Sequence, residues 1–291
     1  MDSVPHTTSK ETVPCPYCGA ADHIPWASEL GFVAVRCAGC GLIYVNPRPT
    51  QNLISAAVRT GAHGAEAKGL RVTSRRIPSK VAQYKALLGH LFADVWNSGR
   101  AISWLDVGAG YGEVVEAVTQ LAPAGSRVQG LEPMAPKAAD ARARGLPVEE
   151  DYLRRTHPKV GFVSLVDVFS HIPDFAAFLD DVVAVLEPNG EMFIETGNLA
   201  DLRERNEFPG ELGLPDHLVF AGERHIRGFL ERAGFEIVRV EQVRIDGVLN
   251  LIKNTVKKVL GRPAQIRFPY QSGYRQLLIR ARLGSRHQTG D

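Results

Sequence analysis

No stretch of this 291-residue chain is apolar over a length near that of a membrane span, so no membrane-crossing helix is expected. The first twelve residues, Met1 to Thr12, lack a hydrophobic core. No secretory signal is read there, and a cytoplasmic setting is expected. Cysteine is scarce, with four in all, and in a reducing compartment these are not expected to pair as disulfides. Net charge is small at +2, which by itself selects no class of partner. One absence is local. Between Gly247 and Gly290 there is no acidic residue, while nine Lys and Arg fall in that stretch. The first 246 residues are left at about −6.

The four cysteines are placed as two knuckles, Cys15-Pro16-Tyr17-Cys18-Gly19 and Cys37-Ala38-Gly39-Cys40-Gly41, with eighteen residues between them. A glycine after each second cysteine lets backbone amides turn toward the thiolates. Four thiolates at this spacing saturate tetrahedral Zn²⁺, so Cys15, Cys18, Cys37 and Cys40 are read as a structural zinc site with no position open to water. Phe32 to Val35 and Leu42 to Val45 read as ribbon strands. The run Asn46-Pro47-Arg48-Pro49-Thr50 ends the pairing and sets the module boundary at residue 50.

Residues 51 to 100 read as a linker with one short helix, Asn52 to Val58, then a lid helix. Ser79 is expected to cap that helix and Gly99 to stop it, with Val81, Tyr84, Leu87, Leu88, Leu91, Phe92 and Val95 on one side. Such a helix would pack on a sheet or roof a ligand.

From Ile102 the chain alternates strand and helix. Trp104 to Val107 is a buried strand that runs into Gly108-Ala109-Gly110-Tyr111-Gly112, after which Glu113 to Leu121 has a helical apolar face. A glycine turn of this kind brings backbone close to a ligand and aims a helix N-terminus at it. The second strand, Val128 to Leu131, ends in Glu132, placed to accept hydrogen bonds from ribose hydroxyls. Together these imply a cofactor containing adenosine. Asp151 follows the short strand Leu146 to Glu149 and reads equally as an acceptor for an adenine amino group or as an exposed loop acid. Val160 to Phe169 is a doubly buried strand ending at Ser170-His171-Ile172-Pro173-Asp174. Asp174 caps a helix that is expected to end at Pro188-Asn189-Gly190, and Met192 to Glu195 is the fifth strand. Residues 199 to 215 show little regular pattern. They are followed by Asp216-His217-Leu218-Val219-Phe220, a helix over Glu223 to Ala233, a strand over Phe235 to Val243, a basic amphipathic segment over Val248 to Leu260, and a candidate antiparallel strand over Arg275 to Arg282.

Asp106 two residues before the first glycine, the His-Ile-Pro-Asp turn and the Pro-Asn-Gly before strand five resemble the class I S-adenosylmethionine-dependent methyltransferases. The ribbon with its Asn-Pro-Arg-Pro exit resembles that of a set of bacterial small-molecule and sugar methyltransferases in this class. One departure is Ser170, where many relatives have glutamate before the histidine. The resemblance covers Cys15 to about Arg282. It implies an α/β, doubly wound, seven-stranded Rossmann-like sheet over residues 101 to 283, a basic insert at about 246 to 270, a tail over 284 to 291, and the zinc ribbon over 1 to 50. By analogy, Asp106 and the backbone at Gly108, Ala109 and Gly110 surround the methionine part of S-adenosylmethionine, Glu132 takes the ribose, and the turn Phe169 to His171 lines the site.

Methyl transfer from a sulfonium is an in-line displacement in which placing the acceptor does much of the work, and a general base helps when the acceptor is a hydroxyl or an acidic carbon. His217 is read as that base or as a substrate ligand, the alternative being a loop histidine bonded to backbone. His171 is the second catalytic candidate, its alternative being a residue that pins the turn. The acceptor is expected to be a small molecule such as a sugar, a sugar nucleotide or a natural-product hydroxyl or carbon. The basic segment is read as meeting its phosphates (Lys253, Lys257, Lys258, Arg262), as touching an anionic membrane surface, or as a solvated helix. An RNA methyltransferase and a non-catalytic or NAD-using adenosine-ligand protein are the other classes weighed. The small net charge and acidic first part count against nucleic acid.

Overall fold

The computed structural model describes residues 9–64, 67–72, 75–208, 210–244, 248–261 and 272–285. At the N-terminus lie strands β1 (Lys10–Glu11), β2 (His23–Glu29), β3 (Phe32–Cys37), β4 (Ile43–Val45) and β5 (Arg48–Pro49). Helices α1 (Gln51–Thr60), α2 (Pro78–Leu91) and α3 (Ala93–Asn97) lead into the alternating part. That part runs β6 (Ser103–Val107), α4 (Glu113–Leu121), β7 (Arg127–Leu131), α5 (Ala135–Ala143), β8 (Val148–Glu149), β9 (Val160–Val166), α6 (Phe175–Val185) and β10 (Leu186–Gly197). It closes with β11 (Val219–Phe220), α7 (Glu223–Arg232), β12 (Phe235–Val243), α8 (Val248–Val259) and β13 (Gln276–Leu283).

The main sheet has seven strands in the order β12-β13-β10-β9-β6-β7-β8, as expected for the doubly wound fold. Strand β13 pairs antiparallel with both β10 and β12, while β10, β9, β6, β7 and β8 pair in parallel. Both faces are covered. Leu105, Ile194 and Ile279 join one apolar cluster with α6 and α7, and their neighbours Trp104, Phe193 and Leu278 join another with α2, α4 and α5. This is the period-two alternation of strands buried on both sides.

The ribbon shares the first of these clusters. Phe32, Val35 and Ile43 belong to it together with Phe175 and Phe229. The ribbon sheet itself has the order β11-β4-β3-β2. Its edge strand β11 therefore comes from the segment just after His217, with Val219 opposite Tyr44 and Phe220 opposite Ile43.

Several expected boundaries move. Helix α2 starts at Pro78 with Ile77 flanking it, so Ser79 lies inside the first turn and does not cap. Proline at the first turn supplies the helical φ without needing its N–H, and Glu113 takes the Ile77 N–H at 3.1 Å. The helix breaks at Phe92, well before Gly99, and α3 follows as a separate short helix. Helix α6 ends at Val185, before the Pro188-Asn189-Gly190 expected to close it. Those residues form an irregularity within β10, whose pairing with β9 shifts between Leu186 and Glu191, and Asn189 has φ +60° there. Asp174 caps α6 as expected, accepting from the Ala177 N–H at 3.0 Å.

The basic C-terminal stretch is partly internal. Arg280 is buried on Glu191 and Asp94, and Arg282 also pairs with Glu191. On α8, Ile252, Val256 and Val259 are exposed beside Lys258. The side chain of Lys253, and Arg262 altogether, lie outside the described residues, as do residues 286 to 291 of the expected tail. Among the described residues, no helix is long and apolar enough to cross a membrane.

Candidate active site

The four cysteines converge. Their sulfurs lie within 4.8 Å of one another, with Cys15 to Cys40 and Cys18 to Cys37 each at 3.5 Å. Tetrahedral zinc with Zn–S bonds of about 2.3 Å needs sulfurs roughly 3.8 Å apart, which this set matches with small adjustments. Backbone N–H groups of Tyr17 and Cys18 point at the Cys15 sulfur, and those of Gly39 and Cys40 at the Cys37 sulfur. The donor set and its amide cradle fit a structural zinc ion.

At the carboxyl ends of β6 and β7 is a cavity of ≈710 Å³. The glycine turn forms its floor. Gly108 and Ala109 donate their N–H groups to the Leu131 carbonyl at 2.8 and 2.9 Å, which pins the turn to the end of β7. Gly108 has φ +75°, and a Cβ there would stand 2.4 Å from a Val168 methyl, so this position demands glycine twice over. Gly110, by contrast, faces open space with φ +56°. Glu132 closes over the turn, accepting from the N–H groups of Gly110 at 2.7 Å and Met134 at 2.9 Å.

Asp106 is held from below by a relay of donors. The Trp104 indole N–H donates to Ser164 Oγ at 2.9 Å, and Ser164 donates to Asp106 Oδ1 at 2.5 Å. Burial raises the Asp106 carboxyl to about 7; the Ser164 bond pulls it back, and the charges of Glu132 and Glu113 push it up again. Asp106, Gly108, Ala109, Gly110, Glu132, Asp151 and His171 all line this cavity. Asp151 does so while accepting from the Tyr152 N–H and from Arg154. Phe169 does not line it. Its ring is buried 4.7 Å from that of Phe175, in the core. The roof is made by Ile54 and Val58 of α1 and by Lys80 and Tyr84 of α2, so the linker helix as well as the helix expected to act as a lid lines this cavity.

A second cavity of ≈350 Å³ shares three wall residues with the first: Asp167, His171 and His217. Its far side is apolar and aromatic, with Leu199, Leu212, Phe220, and Phe208 4.8 Å from Tyr274. Apart from the two histidines, none of its described lining residues is basic, with no Lys or Arg among them, and Asp167 and Glu211 are acidic.

The two histidines expected to be catalytic are brought together at this junction, ring centroids 4.7 Å apart and edge to face. His217 Nδ1 lies 2.6 Å from the Leu212 carbonyl and His171 Nδ1 lies 2.9 Å from the Asp216 carbonyl. A carbonyl oxygen only accepts, so both rings carry a proton on Nδ1, and Nε2 is the nitrogen by which a neutral ring can accept. Burial lowers the His171 pKa, Asp216 opposes the shift, and the nearby His217 and Lys137 add to it.

Sequence reasoning missed three contributors. His63, read as an ordinary surface or core residue, is buried and donates from Nε2 to Asp216 Oδ1 at 3.2 Å, while Asp216 Oδ2 lies 3.6 Å from His171. Burial pushes the Asp216 carboxyl up, but the His63 bond and the charges of His171, His217 and His63 outweigh it and hold it below the usual range. Asp167 stands at the end of β9 in the left-handed region, φ +58°, and lines both cavities. Glu29, from the ribbon, reaches the loop that carries the Leu212 carbonyl. The only sequence signal for Asp167 was an acid inside the apolar run read as a strand to Phe169, and none existed for the other two.

Comparison with known proteins bears on the family and the fold. Residues 79–240 match a family model described as a methyltransferase domain. A curated relative is the ubiquinone biosynthesis O-methyltransferase of Rhodopseudomonas palustris, 34% identical over 104 residues, which covers 32% of this chain and 39% of that protein. The match thus spans well under half of the relative. Among solved structures, a Galdieria sulphuraria protein assigned provisionally as a sarcosine dimethylglycine methyltransferase superposes with a TM-score of 0.50 at 16% identity, covering 70% of this chain and 86% of that one. A SAM dependent methyltransferase from Archaeoglobus fulgidus gives 0.49 at 17% identity, covering 69% and 94%.

Proposed function

Because the chain belongs to the methyltransferase-domain family, we propose that it transfers a methyl group from S-adenosylmethionine to a nucleophilic oxygen or carbon of a small-molecule acceptor seated in the second cavity. The observation that carries this reading is the pair His171 and His217 standing in the wall common to both cavities. Bound over the glycine turn, the cofactor would supply an electrophilic methyl on a sulfonium sulfur. Gly108, Ala109 and Gly110 offer it close backbone, Glu132 offers carboxylate oxygens to the ribose, Asp151 offers one to the adenine side, and Asp106 supplies a negative charge near the cationic part. Four cysteines, Cys15, Cys18, Cys37 and Cys40, hold a structural zinc ion.

At the junction, His217 takes the acceptor's proton on Nε2 as the new bond to carbon forms, and its Nδ1–H stays on the Leu212 carbonyl. His171, kept neutral by burial, fixes the acceptor beside it. With acids and aromatic rings in the second cavity and no described Lys or Arg, the reacting end of the acceptor carries no negative charge. A phosphate, where one is present, extends out of this cavity.

His217→Ala removes the base and leaves the cofactor floor untouched. Turnover in a methyl-donor assay against a panel of sugar nucleotides, phenols and polyketide-type alcohols should drop by about 10²- to 10⁴-fold. Calorimetric affinity for S-adenosylmethionine should be unchanged. Near-normal turnover would remove His217 from the mechanism, and absence of S-adenosylmethionine binding in the parent protein would sink the whole reading.

A further inference from the structure

Glu29 ends ribbon strand β2, yet its carboxylate is turned away from solvent and into the other part of the molecule. Oε1 accepts from the Leu212 N–H at 2.7 Å; Oε2 accepts from the Gly213 N–H at 2.9 Å and the Leu214 N–H at 3.4 Å. Arg205 adds a fourth donor at 3.3 Å. Three successive amides converging on one carboxylate form a nest, a backbone concavity that favours an anion. Gly213 makes the bend possible with φ +75°, and a Cβ at that position would come within 3.3 Å of His217 Nδ1.

The orientation of these peptides also sets the Leu212 carbonyl, which receives the His217 Nδ1–H. The other anchors of the segment hold other peptides. Leu218 donates to the Ser170 carbonyl and β11 pairs with β4, both after His217; the Asp216 and His217 N–H groups go to the Gly213 carbonyl, and His63 and His171 hold Asp216, so none of these is made to the Leu212–Gly213 peptide.

We propose that Glu29 is a positioning residue for the methyl-transfer site: the ribbon uses this carboxylate to shape the Leu212–Leu214 loop, and the loop locks His217 in the Nδ1–H tautomer with Nε2 facing the acceptor. The inference rests on His217 being the base. The tautomer, however, can be read without any turnover. Partners that orient a histidine's second nitrogen commonly contribute about 10- to 100-fold to function at metal sites, and a base held the same way should show a loss of that order.

The test uses the full chain labelled with ¹⁵N-histidine, with zinc content, thermal melting and S-adenosylmethionine affinity as checks on folding. Long-range ¹H–¹⁵N spectra should show His217 as the Nδ1–H tautomer in the parent. In Glu29→Ala, and in Glu29→Asp, whose carboxylate is withdrawn by one methylene, the two tautomers should mix. The kcat should fall by about 10- to 100-fold with the KM for S-adenosylmethionine unchanged. Glu29→Gln keeps one acceptor oxygen and should restore part of both signals. A parent-like His217 spectrum in Glu29→Asp overturns the proposal, and that variant decides alone where Glu29→Ala does not fold. If the tautomers mix while His217→Ala keeps its turnover, the positioning stands and the base assignment fails.

Discussion

Asp106 is the residue at which pH and the proposed cofactor site meet. Its carboxyl is buried, sits at about 7, and lines the space proposed for the cofactor's cationic part. At pH 6 most of the empty protein therefore carries a neutral acid there. A sulfonium and an ammonium nearby favour the carboxylate, so binding must expel the proton. The sign follows: affinity for S-adenosylmethionine should rise as pH climbs through 7 and level off above it, by up to tenfold per unit on the acid side. Calorimetry in two buffers of different ionisation enthalpy should detect proton release near pH 7 that vanishes in Asp106→Asn. Affinity that is flat between pH 6 and pH 8 would show that this carboxyl does not answer to the cofactor. The residues legible in sequence are of this kind. Asp106, Gly108 and Glu132 belong to one strand-turn-helix-strand unit, so local spacing exposes them. His63 is 153 residues from its partner Asp216 and Glu29 is 183 residues from Leu212, so only the folded chain brings them together.

Among the elements, β13 explains why the basic C-terminal stretch is less of a charged surface than its composition suggests. This antiparallel strand inserts between β10 and β12 and carries Arg280 into the protein, where Glu191 of β10 accepts from it at 2.5 Å and Asp94 of α3 takes both guanidinium ends at 2.6 and 2.8 Å. The guanidinium also lies 4.4 Å over the Phe92 ring. Glu191 sits between two arginines, so Glu191→Ala leaves a buried Arg280 without its inner partner. That change should cost about 3–5 kcal/mol in urea unfolding. Asp94 is 63% exposed, and Asp94→Asn should cost about 1 kcal/mol or less. Equal losses in the two variants would contradict this division. Helices and strands with a clear apolar period were readable in advance because burial on defined faces writes that period. Strand β11 was not, since two residues show no period and its pairing partner is the ribbon, far away in sequence. The Leu186 to Gly190 stretch misled for a different reason: its Pro-Asn-Gly chemistry signals a turn, and the structure spends that turn on a shift of register inside β10.

For the whole molecule, the ribbon and the sheet are joined around the second cavity by a set of direct contacts. The Cys40 carbonyl, within the second cysteine knuckle, accepts from the His225 ring at 2.9 Å and from Arg224, both on α7. Arg36 of β3 donates to the Ala200 and Leu202 carbonyls at 3.1 and 2.7 Å. The Val45 N–H donates to the Leu218 carbonyl at 2.9 Å, next to His217. The floor of the larger cavity is built differently, from β6, β7 and the glycine turn, with no ribbon residue in its wall among the described residues. Zinc loss should therefore divide the two halves of the site. Small metal-held modules draw much of their folding free energy from the ion, so stripping the zinc with a chelator and a thiol-directed reagent should loosen β2 to β4 and, through them, residues 199 to 220. Hydrogen exchange should accelerate at the amides of Leu212 to Phe220 while those of β6 and β7 stay protected. Methyl transfer should fall at least tenfold, with S-adenosylmethionine affinity within a few-fold of the zinc-loaded protein. Parallel loss of cofactor binding and turnover would mean instead that the ribbon supports the entire sheet, and unchanged exchange over Leu212 to Phe220 would mean that the acceptor wall stands without it.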